Sequence, residues 1–100
     1  MSPYSVYVTP QALAELRALP GHERQRVRRA IDAMVENARP SRSERLAYPD
    51  ASVDLRRLRF DHWRIVYLAN DDDLTIDVLA VRRRPPYDYG DLEVMLADLD

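Results

Sequence analysis

Three features of this chain predict an α+β layer fold. Four short segments carry strand character: Tyr4–Val8, Val53–Phe60, Trp63–Ala69 and Leu74–Val81. Two amphipathic stretches sit together between the first and second of these, and a third follows the last. Strands joined by tight turns make an antiparallel meander, and helices segregated from it make a second layer. The predicted order is β-α-α-β-β-β-α: an N-terminal strand, an α-hairpin, an antiparallel three-strand meander and a C-terminal helix. One domain is expected over residues 1–100, because a chain of this length normally closes a single core.

Each element has its own local reason. Tyr4-Ser5-Val6-Tyr7-Val8 alternates at period two with aromatic and β-branched residues, so it reads as a strand. Thr9-Pro10 then pairs an N-cap with proline at the first helical position. Ala12, Leu13, Leu16 and Leu19 give the first helix its apolar face, and Pro20-Gly21 stops it. From His22 to about Ala38, Val27, Ala30, Ile31, Met34, Val35 and Ala38 recur at helical spacing, with Arg24, Arg28, Arg29, Asp32 and Glu36 toward solvent. Ala38 to Asp50 holds two prolines and mixed charge and is expected to be a loop.

Asp61-His62 is short enough to turn one strand into the next, and Asn70 with Asp71–Asp73 makes a second turn. The run Val78-Leu79-Ala80-Val81 is apolar on both faces, as in a strand covered on both sides. Regularity is expected to end over Arg82–Pro86. Leu92, Met95, Leu96 and Leu99 then mark one face of a helix over Tyr89–Leu99.

Composition excludes several functions. There is no cysteine, which removes disulfide scaffolds, thiolate metal sites and cysteine nucleophiles. His22 and His62 are about 40 positions apart with no third ligand, so zinc is not expected. The three adjacent aspartates lack the spacing and glycine of a calcium loop. Only two glycines occur, and no phosphate-cradling loop is present. No apolar run is long enough to span a bilayer, and Met1–Tyr4 does not open a secretory signal. A soluble, cytoplasmic domain without cofactor is the expectation.

The formal net charge is -2, yet all 15 basic residues are arginine. They gather at Arg24–Arg29, Arg56–Arg59 and Arg82–Arg84. Arg57 and Arg59 share one face of their strand by alternation, with Leu58 and Phe60 on the core side. Arg64 follows across the turn, and Arg82, Arg83 and Arg84 end the last strand just before Tyr87 and Tyr89. A meander can bring these groups to one surface. Guanidinium forks suit phosphate, and tyrosine offers a ring for stacking and a hydroxyl for proton transfer. An exposed sheet face salt-bridged to the acidic residues is the competing account of the same spacing.

Several of these segments resemble one family. Tyr4-x-Val6-x-Val8-Thr9-Pro10-x-Ala12 leading to Leu16-x-x-Leu19-Pro20, Arg57-Leu58-Arg59-Phe60, and Trp63-Arg64-Ile65-Val66-Tyr67 look like the RelE/ParE superfamily of toxins from bacterial type II toxin–antitoxin pairs. So does Val78-Leu79-Ala80-Val81 running into arginines and then tyrosine. The resemblance covers Tyr4 to Tyr89. In its RelE-like branch it implies a metal-independent endoribonuclease that cuts mRNA in the ribosomal A site and so inhibits translation.

By position, the resemblance implies catalytic roles for Arg64 and Arg84 in stabilising phosphate charge and for Tyr87 or Tyr89 in stacking and proton transfer. Arg57, Arg59, Arg82 and Arg83 would bind RNA. Leu55 stands where relatives often carry a lysine, and the chain has none. Arginine stays protonated, so the base would be Tyr87, Tyr89 or, as a further choice, His62. The implied partners are a cognate antitoxin, the ribosome and mRNA, with no membrane and no small-molecule cofactor. Two alternatives stay open: a ParE-like DNA gyrase inhibitor, and a catalytically degenerate antitoxin-binding domain.

Overall fold

The computed structural model describes residues 3–47 and 53–83. The elements are β1 (Ser5–Val8), α1 (Pro10–Arg17), α2 (Gly21–Ala33), β2 (Ser43–Arg45), β3 (Asp54–Phe60), β4 (Trp63–Asn70) and β5 (Thr75–Arg83). The strands form one sheet in the order β1-β5-β4-β3-β2. β1 runs parallel to β5, and every other pairing is antiparallel. The α+β class and the meander are as the sequence predicts. The helix expected over Tyr89–Leu99 lies outside the described residues, as do Arg84, Tyr87 and Tyr89.

Local chemistry explains the entry into α1. Thr9 is extended, and its hydroxyl accepts the Ala12 N–H at 3.3 Å, with Pro10 opening the first turn. α2 ends earlier than its apolar periodicity suggests. From Met34 onward the bonds tighten to three-residue spacing, with Met34, Val35 and Glu36 donating to Ile31, Asp32 and Ala33. Met34 and Ala38 nonetheless stay buried. The apolar rhythm thus outlasts the helix because the following turn still faces the core.

One correction concerns the segment expected to be a loop between Ala38 and Asp50. Ser43–Arg45 forms a strand on the outer edge of β3, with Ser43 opposite Leu58 and Arg45 opposite Arg56. Ser-Glu-Arg has no apolar alternation, so its pairing is a tertiary event that local pattern does not announce. A second correction lengthens the last strand. β5 runs through Arg82 and Arg83, where regularity was expected to stop, because both remain paired with Arg64 and Trp63.

The helices cover one sheet face. Ala12, Leu16, Leu19, Val27, Ile31 and Met34 pack there on Leu58, Ile65, Tyr67, Ile76, Val78 and Val81. Tyr67 is fully buried, and its hydroxyl donates to the Ala38 carbonyl at 2.6 Å. The opposite face carries a smaller cluster of Leu55, Val66, Leu79 and Ala80, with Leu46 and Val53 against it. A register shift between Val66 and Tyr67 lets Leu79 and Ala80 both be buried on β5. No helix among the described residues is long and apolar enough to cross a membrane.

Candidate functional site

Register decides which arginines can act together. Arg59 lies directly opposite Arg64, and Arg64 directly opposite Arg82, so three strands set three guanidinium side chains in one row on one face. The next row along is Arg57, Val66 and Ala80. Arg57 therefore shares this face one step further from the turn, as predicted. Arg83 does not join them, since it pairs with Trp63 and alternation turns it to the helix-covered side.

The four arginines on this face sit in different surroundings. Arg59 is exposed. Arg57 is half-buried and pairs with Glu44 of β2, which faces it in register. Arg82 is bound by Glu15 of α1 at 3.2 Å. Beyond the end of β1 no other described strand pairs this edge of β5, and Glu15 also accepts the Val81 N–H there at 3.0 Å. Arg64 is buried, only 4% exposed. Its Nη1 donates to the carbonyls of Asp61 at 3.0 Å and Trp63 at 2.8 Å.

These carbonyls belong to the β3–β4 turn. Asp61 adopts a left-handed backbone with φ 54°, which a tight two-residue turn requires and which aspartate tolerates better than most residues. His62, the further choice for a base, is exposed beside it with Nε2 3.5 Å from Glu23 Oε1 of α2. The second turn is a plain hairpin connection. Asn70 Oδ1 accepts the Asp73 N–H at 3.0 Å, and Asp71 is held by Arg39 at 3.1 Å and by the Tyr4 hydroxyl at 3.0 Å. Those two bonds hold the Asp71 carboxyl below the usual range, the Arg39 bond contributing most. Arg39 also grips Asp54 and is pushed up by both partners, Asp71 first. Among the described residues no cluster of three metal-ligating side chains occurs.

Two further features lay beyond sequence reasoning. Asp77 lies on the arginine face, in the row of Leu55 and Leu68, with Tyr7 of β1 on its other side. Burial alone pushes its carboxyl up. Nothing in the local pattern distinguishes it from any other strand aspartate. On the opposite side of the molecule, an open groove of about 670 Å³ runs between β1 and the helices. Val6, Val8, Leu13, Leu16 and Ile31 line it, rimmed by Arg17, Arg24 and Arg28 with Gln25 and Asp32.

The geometry offers phosphate chemistry on one face and an apolar, cation-rimmed groove on the other. Comparison with known proteins adds the family and the fold. Residues 6–85 match the family model described as the ParE toxin of type II toxin–antitoxin systems, parDE. Among curated proteins, none matches by sequence. In structure, the chain is similar to an archaeal RelE–RelB complex from Pyrococcus horikoshii, with TM-score 0.74, 24% identity, and coverage of 85% of this chain and 99% of that one. It is similar to the toxin–antitoxin complex RelBE2 from Mycobacterium tuberculosis at TM-score 0.69 and 23% identity, covering 82% and 99%. The isolated Escherichia coli RelE toxin follows at 0.65 and 21%, covering 94% and 98%. At these identities the structural likeness shows a shared fold.

Proposed function

This chain belongs to the ParE toxin family of type II toxin–antitoxin systems, and from that premise we propose that its arginine face cuts mRNA on the ribosome. It is a toxin of the RelE/ParE superfamily. The observation that carries the proposal is the in-register row of Arg59, Arg64 and Arg82 at the end of the sheet where β5 leads toward Arg84, Tyr87 and Tyr89. A row of fixed cations is what phosphodiester cleavage needs, because the pentacoordinate phosphorus carries more negative charge than the ground state.

The reaction follows from RNA chemistry. The 2′-oxygen attacks the adjacent phosphorus, the bond to the 5′-oxygen breaks, and a 2′,3′-cyclic phosphate and a 5′-hydroxyl result. Arg64 and Arg84 offset the charge on the phosphoryl oxygens. Arg57, Arg59 and Arg82 hold the flanking backbone, while Arg83, turned to the other side of the sheet, takes no part in it. Tyr87 or Tyr89 stacks on a base and moves the proton, since no lysine exists to do so. No metal takes part in this scheme.

A cognate antitoxin is the proposed partner, in keeping with the RelB chains in the complexes this fold resembles. The groove between β1 and the helices suits an acidic amphipathic segment, with apolar side chains on Val6, Leu13 and Leu16 and carboxylates at Arg17, Arg24 and Arg28. Antitoxin would also inhibit by masking Arg57, Arg64 and Arg84 or shifting the two tyrosines. Both toxin and ribosome would meet in the cytoplasm.

Gyrase inhibition is the second reading, and the family match itself favours it. Against it stands the short first helix of eight residues, Pro10–Arg17, because the resemblance implies a longer helical hairpin for ParE-like gyrase inhibitors. The deciding experiment is mRNA cleavage by purified toxin in EDTA, with and without programmed ribosomes, beside gyrase supercoiling. Ribosome-dependent cuts inside A-site codons, abolished by Arg84→Ala without unfolding, are the expected result. Intact mRNA together with blocked supercoiling would replace the ribonuclease reading by the gyrase one.

A further inference from the structure

The β3–β4 turn is gripped from two sides by side chains distant in sequence. From the helix layer, Glu23 and Arg26 project from one face of α2 at a spacing of three. Glu23 reaches His62, and Arg26 forms an ion pair with the Asp61 carboxylate. Arg26 also lies over the Phe60 ring, 5.3 Å from its centroid. From the sheet layer, Arg64 donates to the Asp61 carbonyl. Asp61 is thus held at both ends, its carboxylate by one arginine and its carbonyl by another.

That double grip is more than the turn needs to exist. Aspartate visits the left-handed region with local help, and the Phe60–Trp63 pair already closes the hairpin. What the grip adds is a fixed position for the two carbonyls to which Arg64 donates. Arg64 is 4% exposed and its Nη1 is bound to both turn carbonyls, so the position of the turn bears directly on the orientation of the guanidinium.

We propose that Arg26 and Asp61 are positioning residues for Arg64: α2 clamps the turn so that the turn sets the Arg64 guanidinium in the arginine row. The inference rests on the ribonuclease reading for its kinetic consequence, and on geometry alone for the clamp. Arg26 and Asp61 are both half-exposed, at 52% and 41% of their side-chain surface, so their ion pair adds little to folding. The clamp therefore acts on rate and leaves stability nearly unchanged.

The test uses the full chain carrying Asp61→Asn, which keeps the left-handed preference and removes the charge. Arg26→Gln removes the same pair from the helix side and leaves the turn sequence intact. With programmed ribosomes, each variant should lower kcat about tenfold with KM unchanged, the size expected when a catalytic group shifts by a fraction of an ångström. In an Arg64→Lys background neither should cost anything further, since the group they position is gone. Unchanged kcat in both variants, or losses that multiply with Arg64→Lys, would overturn the proposal.

A second readout needs no cleavage. Hydrogen exchange of the Arg64 guanidinium, followed by nitrogen NMR, should quicken at least about tenfold in Asp61→Asn if the clamp holds it. Equal exchange in variant and wild type overturns the clamp, whatever the toxin's target. Faster exchange with no RNA cleaved by wild type would uphold the clamp and reject the ribonuclease reading.

Discussion

Apart from Arg26, which is paired to the β3–β4 turn, the arginines of the helices lead a different life from Arg57, Arg64 and Arg82 of the sheet. On the sheet face, Arg57 meets Glu44, Arg82 meets Glu15, and Arg64 is buried against two backbone carbonyls. On the helix side, Arg17, Arg24, Arg28 and Arg29 are exposed, and none of them forms an ion pair among the described residues. Composition gives both groups the same label. Surroundings make the first group part of the architecture and leave the second as solvated charge around a groove. A guanidinium wedged among partners has fixed geometry, which chemistry needs. One free in water offers long-range attraction, which docking needs.

The comparison breaks most visibly at Arg64. Arg64→Ala should lose about 2 kcal/mol of stability, because two carbonyls in the turn lose a charged donor in a buried setting. Cleavage should fall by at least about a hundredfold, beyond what the lost stability accounts for at a temperature where the variant is folded. Urea unfolding beside ribosome-dependent cleavage separates the two. A variant as stable as wild type would mean that Arg64 is held by less than its burial indicates.

Asp77 sharpens the contrast from the other sign of charge. It lies on the arginine face, yet burial alone governs it and pushes its carboxyl up. A carboxyl raised in the folded state binds its proton more tightly there, so the ionised form at neutral pH works against folding. Asp77→Asn should therefore be more stable than wild type at pH 7. The advantage should shrink as pH falls through the raised value and vanish below the unfolded value of about 3.9, where both chains are neutral at this position. Urea midpoints at pH 7 and pH 3.5 check this. An equal gain at both would assign the effect to packing and not to charge.

How far the sequence foretold all this varies by element for physical reasons. Thr9-Pro10 announced α1 because a cap and a proline act locally, and both do so here. The meander was legible because three strand-like runs are separated by two short polar turns and Leu58 alternates between Arg57 and Arg59, and Leu58, Ile65 and Val78 all face the helices. β2 was not legible, since Ser43–Arg45 is a strand only because β3 offers it an edge. Arg57, Arg59 and Arg64 could be placed on one surface from alternation and a two-residue turn. That Arg82 joins them while Arg83 turns away depends on the β5 register, which is shifted near Val66 and unreadable from composition. The grip of Arg26 on Asp61 spans 35 positions, and no local rule pairs them.

The smallest expected effect lies on the helix. Arg24 and Arg28 stand one turn apart on α2, a like-charge pair that costs the helix about 0.2–0.5 kcal/mol at low salt. Arg24→Gln or Arg28→Gln should then leave stability within about 0.5 kcal/mol of wild type, on the stabilising side in dilute buffer and indistinguishable at high salt. Neither change touches the arginine row, so cleavage of ribosome-bound mRNA should survive apart from any weakening of encounter. Capture of a purified acidic antitoxin should slow, with the difference fading as salt rises, because steering by exposed charge is screened within a Debye length. If instead the helix variants lost stability as Arg64→Ala does, the two sets of arginines would be alike, and the division of labour between fixed and free charge would fall with them.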